Sequence, residues 1–274
     1  MAVINTNIAA VRATFASNSA NKMLGISMQR LSTGKRINGA NDDAAGLGIV
    51  TTMTASIRGM NMAVRNTNDG ISLAQTADGV LSEVVNMVQR VRELAVQSAS
   101  ETYVASDRQA MQEEVSALTE QIADTLANST FNGKTLFSTT AGTDVTFDLQ
   151  IGSTTTDVMT ITSKAIDGTN LDATALDVTT VALARTTLDN ADAALDDINA
   201  ARSTLGAAQN RLESVANNLT TNVTSLSDAR SRIEDTDYST ETAAMAKAQI
   251  LSQASTAMIA QANQSAQNVM SLLR

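Results

Sequence analysis

The residues that could carry out chemistry are restricted, because this 274-residue chain contains neither histidine nor cysteine. Zinc sites built from nitrogen and sulfur ligands are therefore excluded. Ser-His-Asp and Cys-His nucleophiles are excluded for the same reason. The sequence predicts a protein that is not an enzyme and that holds no cofactor or metal.

One short motif, LSTGKR at residues 31–36, contains the Gly34-Lys35 pair found in phosphate-binding loops. A Walker A motif places another glycine five residues before this one, so that the backbone can cradle the phosphates. Gln29 occupies that position. Nucleotide binding is therefore not predicted.

Aspartates are the remaining candidates, because carboxylates can bind cations. The cluster consists of Asp189, Asp192, Asp196 and Asp197. Three of them would share one helix face, but acids near a helix start are more simply a solvated edge that complements the helix dipole. The adjacent Asp42 and Asp43 are predicted to cap the next helix.

The composition instead favours long helices joined by narrow seams. The chain has no proline, which would break helix interiors, and only 2% of its residues are aromatic. A net charge of -9 argues against nucleic-acid binding. No apolar run approaches the roughly 20 residues of a membrane span. Residues 1–11 lack the basic segment of a secretory signal peptide, so none is expected.

The N-terminal region carries an apolar stripe with a period near 3.5 residues, which predicts a helix. Its members are Ile4, Ile8, Val11, Phe15, Leu24, Met28 and Leu31. The turn residues Ser32–Gly34 and Asn38-Gly39 interrupt the stripe. We interpret this stripe as a self-assembly surface, because it is too narrow to form a core alone.

Two further helical stripes follow and predict an antiparallel helical pair. One stripe consists of Leu73, Ala77, Val80, Val84, Val88, Val91 and Ala95, and the other of Met111, Val115, Leu118 and Ile122. Residues 99–106 lack the stripe and are predicted to form the reversal.

The middle region, residues 138–180, is rich in serine and threonine and changes period. Apolar residues alternate with polar ones from Val145 to Ile151, and a second alternating face includes Met159 and Ile161. This pattern predicts a β-hairpin. A disordered threonine-rich loop is the alternative.

The longest signal is a heptad repeat after residue 181, which predicts one long helix with a coiled-coil seam. The seam residues are Ile198, Leu205, Leu212, Leu219, Leu226 and Ile233. A helix from residue 181 to 233 would be roughly 80 Å long and needs partners for its apolar face.

The C-terminal segment keeps a similar spacing but has no charged residue from Ala248 to Leu273. Its stripe includes Leu251, Met258, Ala262, Val269 and Leu273. An exposed helix face usually carries charges, so a face of amides and hydroxyls favours a position inside an assembly or lining a channel. A frayed tail is the alternative. The two ends must bury their stripes against each other or against neighbouring copies.

Together these patterns predict a mainly α fold: a long antiparallel helical bundle or coiled coil with a small β-hairpin region, in which the termini pair as an inner helical domain.

At both ends the residues resemble one family, bacterial flagellin. The similar N-terminal blocks are MAVINTNIAA (1–10), LSTGKRINGANDDAAGLGI (31–49), RNTNDGISLAQTADGVLSEV (65–84) and QRVRELAVQSAS (89–100). The C-terminal blocks are LGAAQNRLESVANNL (205–219), ARSRIEDTDYSTE (229–241) and KAQILSQAS with MIAQANQSAQNVMSLL (247–273). The short middle resembles flagellins that lack large outer domains.

This resemblance implies a division of the chain. Residues 1–44 and 235–274 would form the two halves of an inner helical domain. Residues 45–137 and 181–234 would supply the helices of a rod domain, and residues 138–180 its hairpin and short outer segment.

The resemblance also implies a function, namely that copies polymerise into the extracellular flagellar filament. Subunits would leave the cell unfolded by type III export, with an export chaperone, and would fold beneath the filament cap. Hook-associated junction proteins would be further partners. A junction protein of related architecture is the alternative identity.

Finally, the resemblance implies recognition by the vertebrate Toll-like receptor for flagellin. The matching positions are Gln89, Arg90, Leu94, Gln97 and Glu114. Because the stripe residues Val88, Val91 and Ala95 should face the core, Arg90 and Leu94 are expected off the seam. Packing of Leu94 within the rod or between subunits is the alternative.

Overall fold

The computed structural model describes residues 6–140, 142–166 and 168–271, and side-chain exposure as far as Asn268. In chain order the helices are α1 (Ile8–Thr33), α2 (Ala44–Ser98), α3 (Ala105–Asn128), α4 (Val181–Glu234) and α5 (Tyr238–Ser271). The strands are β1 (Thr130–Phe131), β2 (Lys134–Thr135), β3 (Val145–Gln150) and β4 (Val158–Ser163), and a 3₁₀ turn spans Gly168–Asn170. The predicted mainly α fold with a small hairpin region is confirmed.

The chain divides into two compact units. One contains residues 1–55 and 225–274, and the other contains residues 56–224. We call them the terminal unit and the central unit. The domain boundaries predicted at 44/45 and 234/235 fall at the start of α2 and the end of α4, and they remain predictions.

The break after α1 has a local cause. Gly34 ends the helix in a left-handed conformation (φ 71°), and its N–H donates to the Arg30 carbonyl at 2.8 Å. Glycine adopts this conformation without a steric penalty. Helix α2 then begins at a side-chain cap, since Asp43 Oδ1 accepts from the Gly46 N–H at 2.8 Å. The predicted turn and the predicted cap by Asp43 are both confirmed, whereas Asp42 Oδ2 accepts instead from the N–H groups of Asn38 (3.0 Å) and Gly39 (3.1 Å) within the turn.

In the central unit, α2 and α3 form the predicted antiparallel pair. The chain reverses over residues 99–104, where Arg108 donates to the carbonyls of Ser98 (3.0 Å) and Ser100 (2.9 Å). Further along the pair, Arg90 Nε lies 2.8 Å from Glu114 Oε1. Apolar side chains from both helices enter one core.

Helix α4 runs antiparallel to α2 in the same unit. Arg202 of α4 contacts Asp78 at 2.7 Å, and Asp192 contacts Arg92 at 2.6 Å. The hydrogen bond from Arg92 holds the pKa of Asp192 below its ordinary value, so this aspartate is half of an ion pair. No cluster of acids suited to a metal ion occurs among the described residues.

The heptad residues of α4 that lie in the central unit are buried in its core, as the seven-residue repeat predicts. Ile198, Leu205 and Leu212 are completely buried, and Leu219 is 8% exposed. Leu226 and Ile233, which belong to the terminal unit, are half-buried. The seam is therefore most tightly enclosed where α2 and α3 also supply apolar side chains.

The threonine-rich segment folds into the predicted hairpin. Strands β3 and β4 pair antiparallel with Phe147 opposite Ile161 and Leu149 opposite Met159. Phe147, Met159 and Ile161 join the core of the central unit. Burial of this face explains why the alternating segment is ordered, and the alternative of a disordered loop is wrong for these strands.

A second, smaller hairpin, β1–β2, was not predicted from the sequence. Its two central residues, Asn132 (φ 48°) and Gly133 (φ 78°), both adopt positive φ angles. An Asn-Gly pair favours the two-residue turn that joins antiparallel strands. The Asn-Gly dipeptide could have indicated this turn. The strands could not be predicted from alternating apolar and polar residues, because each contains only two residues.

Two glycines of α2 allow a test of how closely the β3–β4 turn approaches this helix. A Cβ on Gly59 would lie 2.9 Å from Ser153 Cβ and 3.3 Å from Ser153 Cα, whereas one on Gly79 would meet nothing within 4 Å. Because alanine is the better helix former, Gly79→Ala should stabilise the central unit by about 0.5–1 kcal/mol. Gly59→Ala should stabilise the central unit by about 1 kcal/mol less than Gly79→Ala, or destabilise it, because the added methyl group would press against Ser153. Urea unfolding of both variants measures the difference, and equal gains would contradict the close approach.

Candidate assembly surface

The terminal unit is built on an antiparallel pairing of α1 with α5. Asn7 Nδ2 donates to the Ala262 carbonyl at 2.9 Å, and the hydroxyl of Ser252 lies 2.8 Å from Asn21 Oδ1. At the other end, Arg30 lies 3.6 Å from Glu241. Contacts between residue 7 and residue 262, and between residue 30 and residue 241, show that the helices run in opposite directions along their lengths.

The seam between these helices is formed mainly by small residues. Its most buried members recur every seven residues: Ala20 and Ser27 on α1, and Glu241, Ala248, Ser255 and Ala262 on α5. Half-buried Leu24, Leu31, Met245 and Ile259 occupy the intervening positions. Small side chains at the contact let helix axes approach closely. The pairing of α1 with α5 therefore buries few of the large apolar side chains.

Most large apolar residues of α1 and α5 that the structure describes lie outside the seam. Phe15 is 70% exposed and Met258 is 60% exposed. We call the whole set the terminal apolar surface: Ile8, Val11, Phe15, Met23, Ile26 and Met28 on α1, with Ile250, Leu251 and Met258 on α5. Ile8, Val11 and Phe15 are spaced three and four residues apart and therefore share one face of α1. An exposed apolar patch of this kind marks interaction sites in proteins.

A groove of 410 Å³ forms part of this surface. Alanines of α1 line one side, and Leu251 and Met258 of α5 line the other. Its walls are mostly apolar, with Arg12 as the charged lining residue. No side chain of the described residues fills the groove, so it offers room for apolar side chains.

The predicted self-assembly residues are thus distributed over two environments. Ile8, Val11, Phe15, Met28, Leu251 and Met258 are exposed, whereas Leu24 and Leu31 are half-buried and Ala262 is buried. Ile4, Leu273 and the side chain of Val269 lie outside the described residues. The pairing of the two ends therefore leaves uncovered most of the predicted residues whose exposure the structure describes.

Residues 34–36, which follow α1, are hydrogen-bonded to residues 234–236, which precede α5, and we call this contact the clasp. The Arg36 N–H donates to the Glu234 carbonyl at 2.6 Å, and the Thr236 N–H donates to the Gly34 carbonyl at 3.0 Å. Glu234 is buried and its carboxylate pairs with Lys35. A buried carboxylate needs such a partner to offset the loss of its hydration.

Helix α5 starts immediately after this clasp and is capped by Asp237. Its Oδ1 accepts from the Ser239 N–H at 2.8 Å. A hydrogen bond from the Thr240 side chain holds the pKa of Asp237 below its ordinary value. The cap therefore stays ionised at neutral pH, where a negative charge complements the helix N-terminus.

The residues that the resemblance assigns to receptor recognition lie in the central unit. Gln89, Arg90, Gln97 and Glu114 are exposed. Arg90 bridges two acids, at 2.8 Å from Glu114 and 3.0 Å from Glu93. The hydrogen bond to Glu114 raises the pKa of Arg90, with a smaller part from Glu93. Arg90, Glu93 and Glu114 therefore form a connected polar patch across α2 and α3.

The expectation that Leu94 lies off the seam is wrong, while its role in receptor recognition stays a prediction. This residue is only 3% exposed and belongs to the core of the central unit. The stripe predicted from Val88, Val91 and Ala95 assumed one buried face. Helix α2 contacts both α3 and α4, so a wider arc of the helix is enclosed and Leu94 lies within it. The alternative, packing of Leu94 inside the rod, is the one observed.

The fold and this surface define a class of protein: a helical subunit whose chain ends pair through a narrow seam and leave large apolar side chains uncovered. The match to family models is more specific. The N-terminal helical region of bacterial flagellin matches residues 4–142, and the C-terminal helical region matches residues 188–273. The chain belongs to the bacterial flagellin family.

Individual relatives agree with this assignment. The chain is 40% identical to a flagellin of Halalkalibacterium halodurans over 249 residues, covering 90% of each protein. It is also 40% identical to a flagellin of Bacillus subtilis over 303 aligned positions, covering 99% of each. The family consists of structural subunits of the flagellar filament and not of enzymes.

Two solved structures are similar in fold. The crystal structure of Bacillus cereus flagellin matches with a TM-score of 0.50 and 34% identity, covering 57% of this chain and 88% of that one. A putative flagellar hook-associated protein from Vibrio parahaemolyticus matches with a TM-score of 0.60 but 14% identity, covering 71% and 100%. The second likeness concerns the fold alone. Within the described part of the chain, no helix combines the length and apolarity needed to cross a membrane.

Proposed function

We propose that this chain polymerises through its terminal apolar surface into the extracellular flagellar filament that drives swimming. One observation carries the proposal: α1 and α5 pair through small residues, and side chains such as Phe15 and Met258 remain exposed. Burying a large apolar side chain stabilises an assembly by roughly 1.5–3 kcal/mol. Neighbouring copies of the same chain are the partners that would cover this surface.

The uncharged C-terminal face supports the same proposal. From Ala248 to Asn268 helix α5 carries no charge, and beside its exposed apolar residues it presents amides, hydroxyls and small residues, with exposed Gln253 and Gln261 among them. Uncharged polar groups are less costly to enclose than charged ones. Such a face suits a helix surrounded by other subunits around a channel.

Growth of filaments from the purified full-length chain tests the proposal. Seeds of sonicated filaments should elongate into long tubes visible by negative-stain electron microscopy. A hook–filament junction protein, the second candidate, would add a short cap to seeds without sustained growth. The 40% identity to flagellins over nearly the whole chain favours the filament subunit. Failure of the chain to elongate its own seeds would contradict the proposal.

We also propose that the subunit leaves the cell unfolded by type III export, with an export chaperone, and folds beneath the filament cap next to hook-associated junction proteins. Residues 1–41 carry five basic side chains and no acid, which supports an export role for the N-terminus. The narrow seam between α1 and α5 supports it too, because little buried surface must be released to keep the ends unfolded.

Recognition by the Toll-like receptor for flagellin is a further proposal, supported by the exposed patch around Arg90 and Glu114. Arginine is frequent among the residues that dominate binding energy at interfaces. Arg90→Ala should therefore lower the potency of receptor activation in reporter cells by about tenfold or more. Arg92→Ala is the matched control, because Arg92 is equally exposed but pairs with Asp192 of α4. Equal losses in both variants would contradict the assignment. Leu94→Ala is unsuitable, since it removes a core side chain.

A further inference from the structure

The sulfur chemistry of this chain is confined to methionine, since it has twelve methionines and no cysteine. Three thioethers lie on the terminal apolar surface: Met23, Met28 and Met258 are 44%, 56% and 60% exposed. In the core of the central unit, by contrast, Met111 and Met159 are 8% and 4% exposed. An oxidant in solution would reach the first group and not the second.

We infer that oxidation of three separate exposed methionines of the terminal unit, Met23, Met28 and Met258, to sulfoxides prevents the free subunit from joining a filament. The inference rests on the proposed function, because it assigns a modification to the surface through which copies associate. The co-reactant is a two-electron peroxide oxidant such as hydrogen peroxide. Cysteine, which would otherwise consume such an oxidant, is absent from the chain.

The chemical step is an oxygen transfer. One peroxide oxygen forms a bond to the thioether sulfur as the O–O bond breaks, and the other oxygen leaves as water after taking up the remaining proton. Sulfur is oxidised by two electrons and the peroxide is reduced. The product is methionine sulfoxide, a polar and chiral side chain that methionine sulfoxide reductases convert back.

The position of the sulfurs determines the consequence. The most buried residues of the seam between α1 and α5 are small ones, Ala20, Ser27, Ala248 and Ser255, and Met245 of the seam is half-buried. Oxidation of Met23, Met28 and Met258, which lie outside the seam, leaves the pairing of the helices intact. A sulfoxide enclosed between subunits would instead be a polar group buried in an apolar contact, which is unfavourable unless it finds a hydrogen-bond donor. Oxidation thus alters association while the folded subunit is preserved.

The same geometry predicts that assembly protects these sulfurs. In a filament the terminal apolar surface is covered, so peroxide should modify free subunits faster than assembled ones at Met23, Met28 and Met258. Met111 and Met159 should be modified slowly in both states. Peptide mapping by mass spectrometry reads each methionine separately.

The experiment compares the critical concentration for seeded growth before and after brief treatment of the purified full-length chain with hydrogen peroxide. We expect it to rise by about tenfold or more, with unchanged far-ultraviolet circular dichroism. Treatment with the two reductases MsrA and MsrB should restore growth. A chain carrying Met23→Leu, Met28→Leu and Met258→Leu should grow equally well with and without peroxide.

Met62→Leu is the matched control, because Met62 is 48% exposed but lies in the central unit. That variant should remain sensitive to peroxide. If the triple variant fails to grow, the three single leucine variants are tested separately. The variant that lacks the most heavily oxidised methionine should then show the smallest rise in critical concentration after peroxide treatment. Unchanged growth of the oxidised natural chain, or equal sensitivity of the leucine variants, would overturn the inference. Failure of the untreated chain to grow would overturn the proposed function instead.

Discussion

A chain shortened by residues 240–274 is expected to form no filaments, even on seeds of the intact protein. The deletion removes nearly all of α5, including Leu251 and Met258, and it leaves the seam residues Ala20 and Ser27 of α1 without their partner helix. Deletion of residues 1–40 should have the same effect from the other side. Sedimentation and electron microscopy after seeding measure the loss. Ordinary tubes from either shortened chain would contradict the assembly proposal.

A single charge tests the same surface without removing an element. Met258→Asp should abolish growth, because burying an unpaired carboxylate costs several kcal/mol, which corresponds to a change of about a thousandfold or more in critical concentration. Met258→Leu is the control, since it keeps an apolar side chain of similar volume. The heat-induced unfolding of the central unit should be unchanged in both variants. Normal growth of the aspartate variant would show that Met258 stays outside the subunit contacts.

Leu205→Ala is expected to destabilise the central unit by about 3–5 kcal/mol, the largest stability loss we predict for one substitution. Leu205 is completely buried in the heptad seam of α4. Its truncation removes apolar contacts and leaves a cavity that the packed helices fill only in part. Urea unfolding monitored by circular dichroism gives the free energy of unfolding.

A matched substitution is available on the same helix. Leu183 is 40% exposed, so Leu183→Ala should change the free energy of unfolding by about 1 kcal/mol or less. Losses of equal size at the two positions would contradict the assignment of the seam. Reduced filament growth by Leu205→Ala at temperatures where the central unit unfolds would link the stability of this core to assembly.

The two seams of the molecule differ in a way that fits their roles. The central unit buries Leu, Ile and Val side chains, and each contributes roughly 1.5–3 kcal/mol. The seam of the terminal unit buries mainly alanine and serine, which release much less apolar area from water. Stability is therefore concentrated in the central unit, and the terminal helices depend more on partners for their apolar surface. This difference supports the proposed assembly through the chain ends.

The sequence by itself determined the helices, the hairpin and the family. The absence of proline and the seven-residue repeat specified long helices, and α4 spans Val181–Glu234 where residues 181–233 were predicted. Alternation from Val145 to Ile151 specified the pairing of β3 with β4. These features depend on local periodicity, which is a property of the chain written in order. The block similarity at both ends specified flagellin, because a match of residues in order is also read directly from the sequence.

Only the tertiary structure decided which side chains are enclosed. A period near 3.5 identifies apolar stripes on a helix, but it does not tell which of two neighbouring faces meets a partner. The structure turns Ala248, Ser255 and Ala262 toward α1 and leaves Met258 exposed, and it encloses Leu94 because α2 has partners on two sides. Burial is set by the number and direction of the surrounding elements, and these are fixed by packing between residues far apart in the sequence.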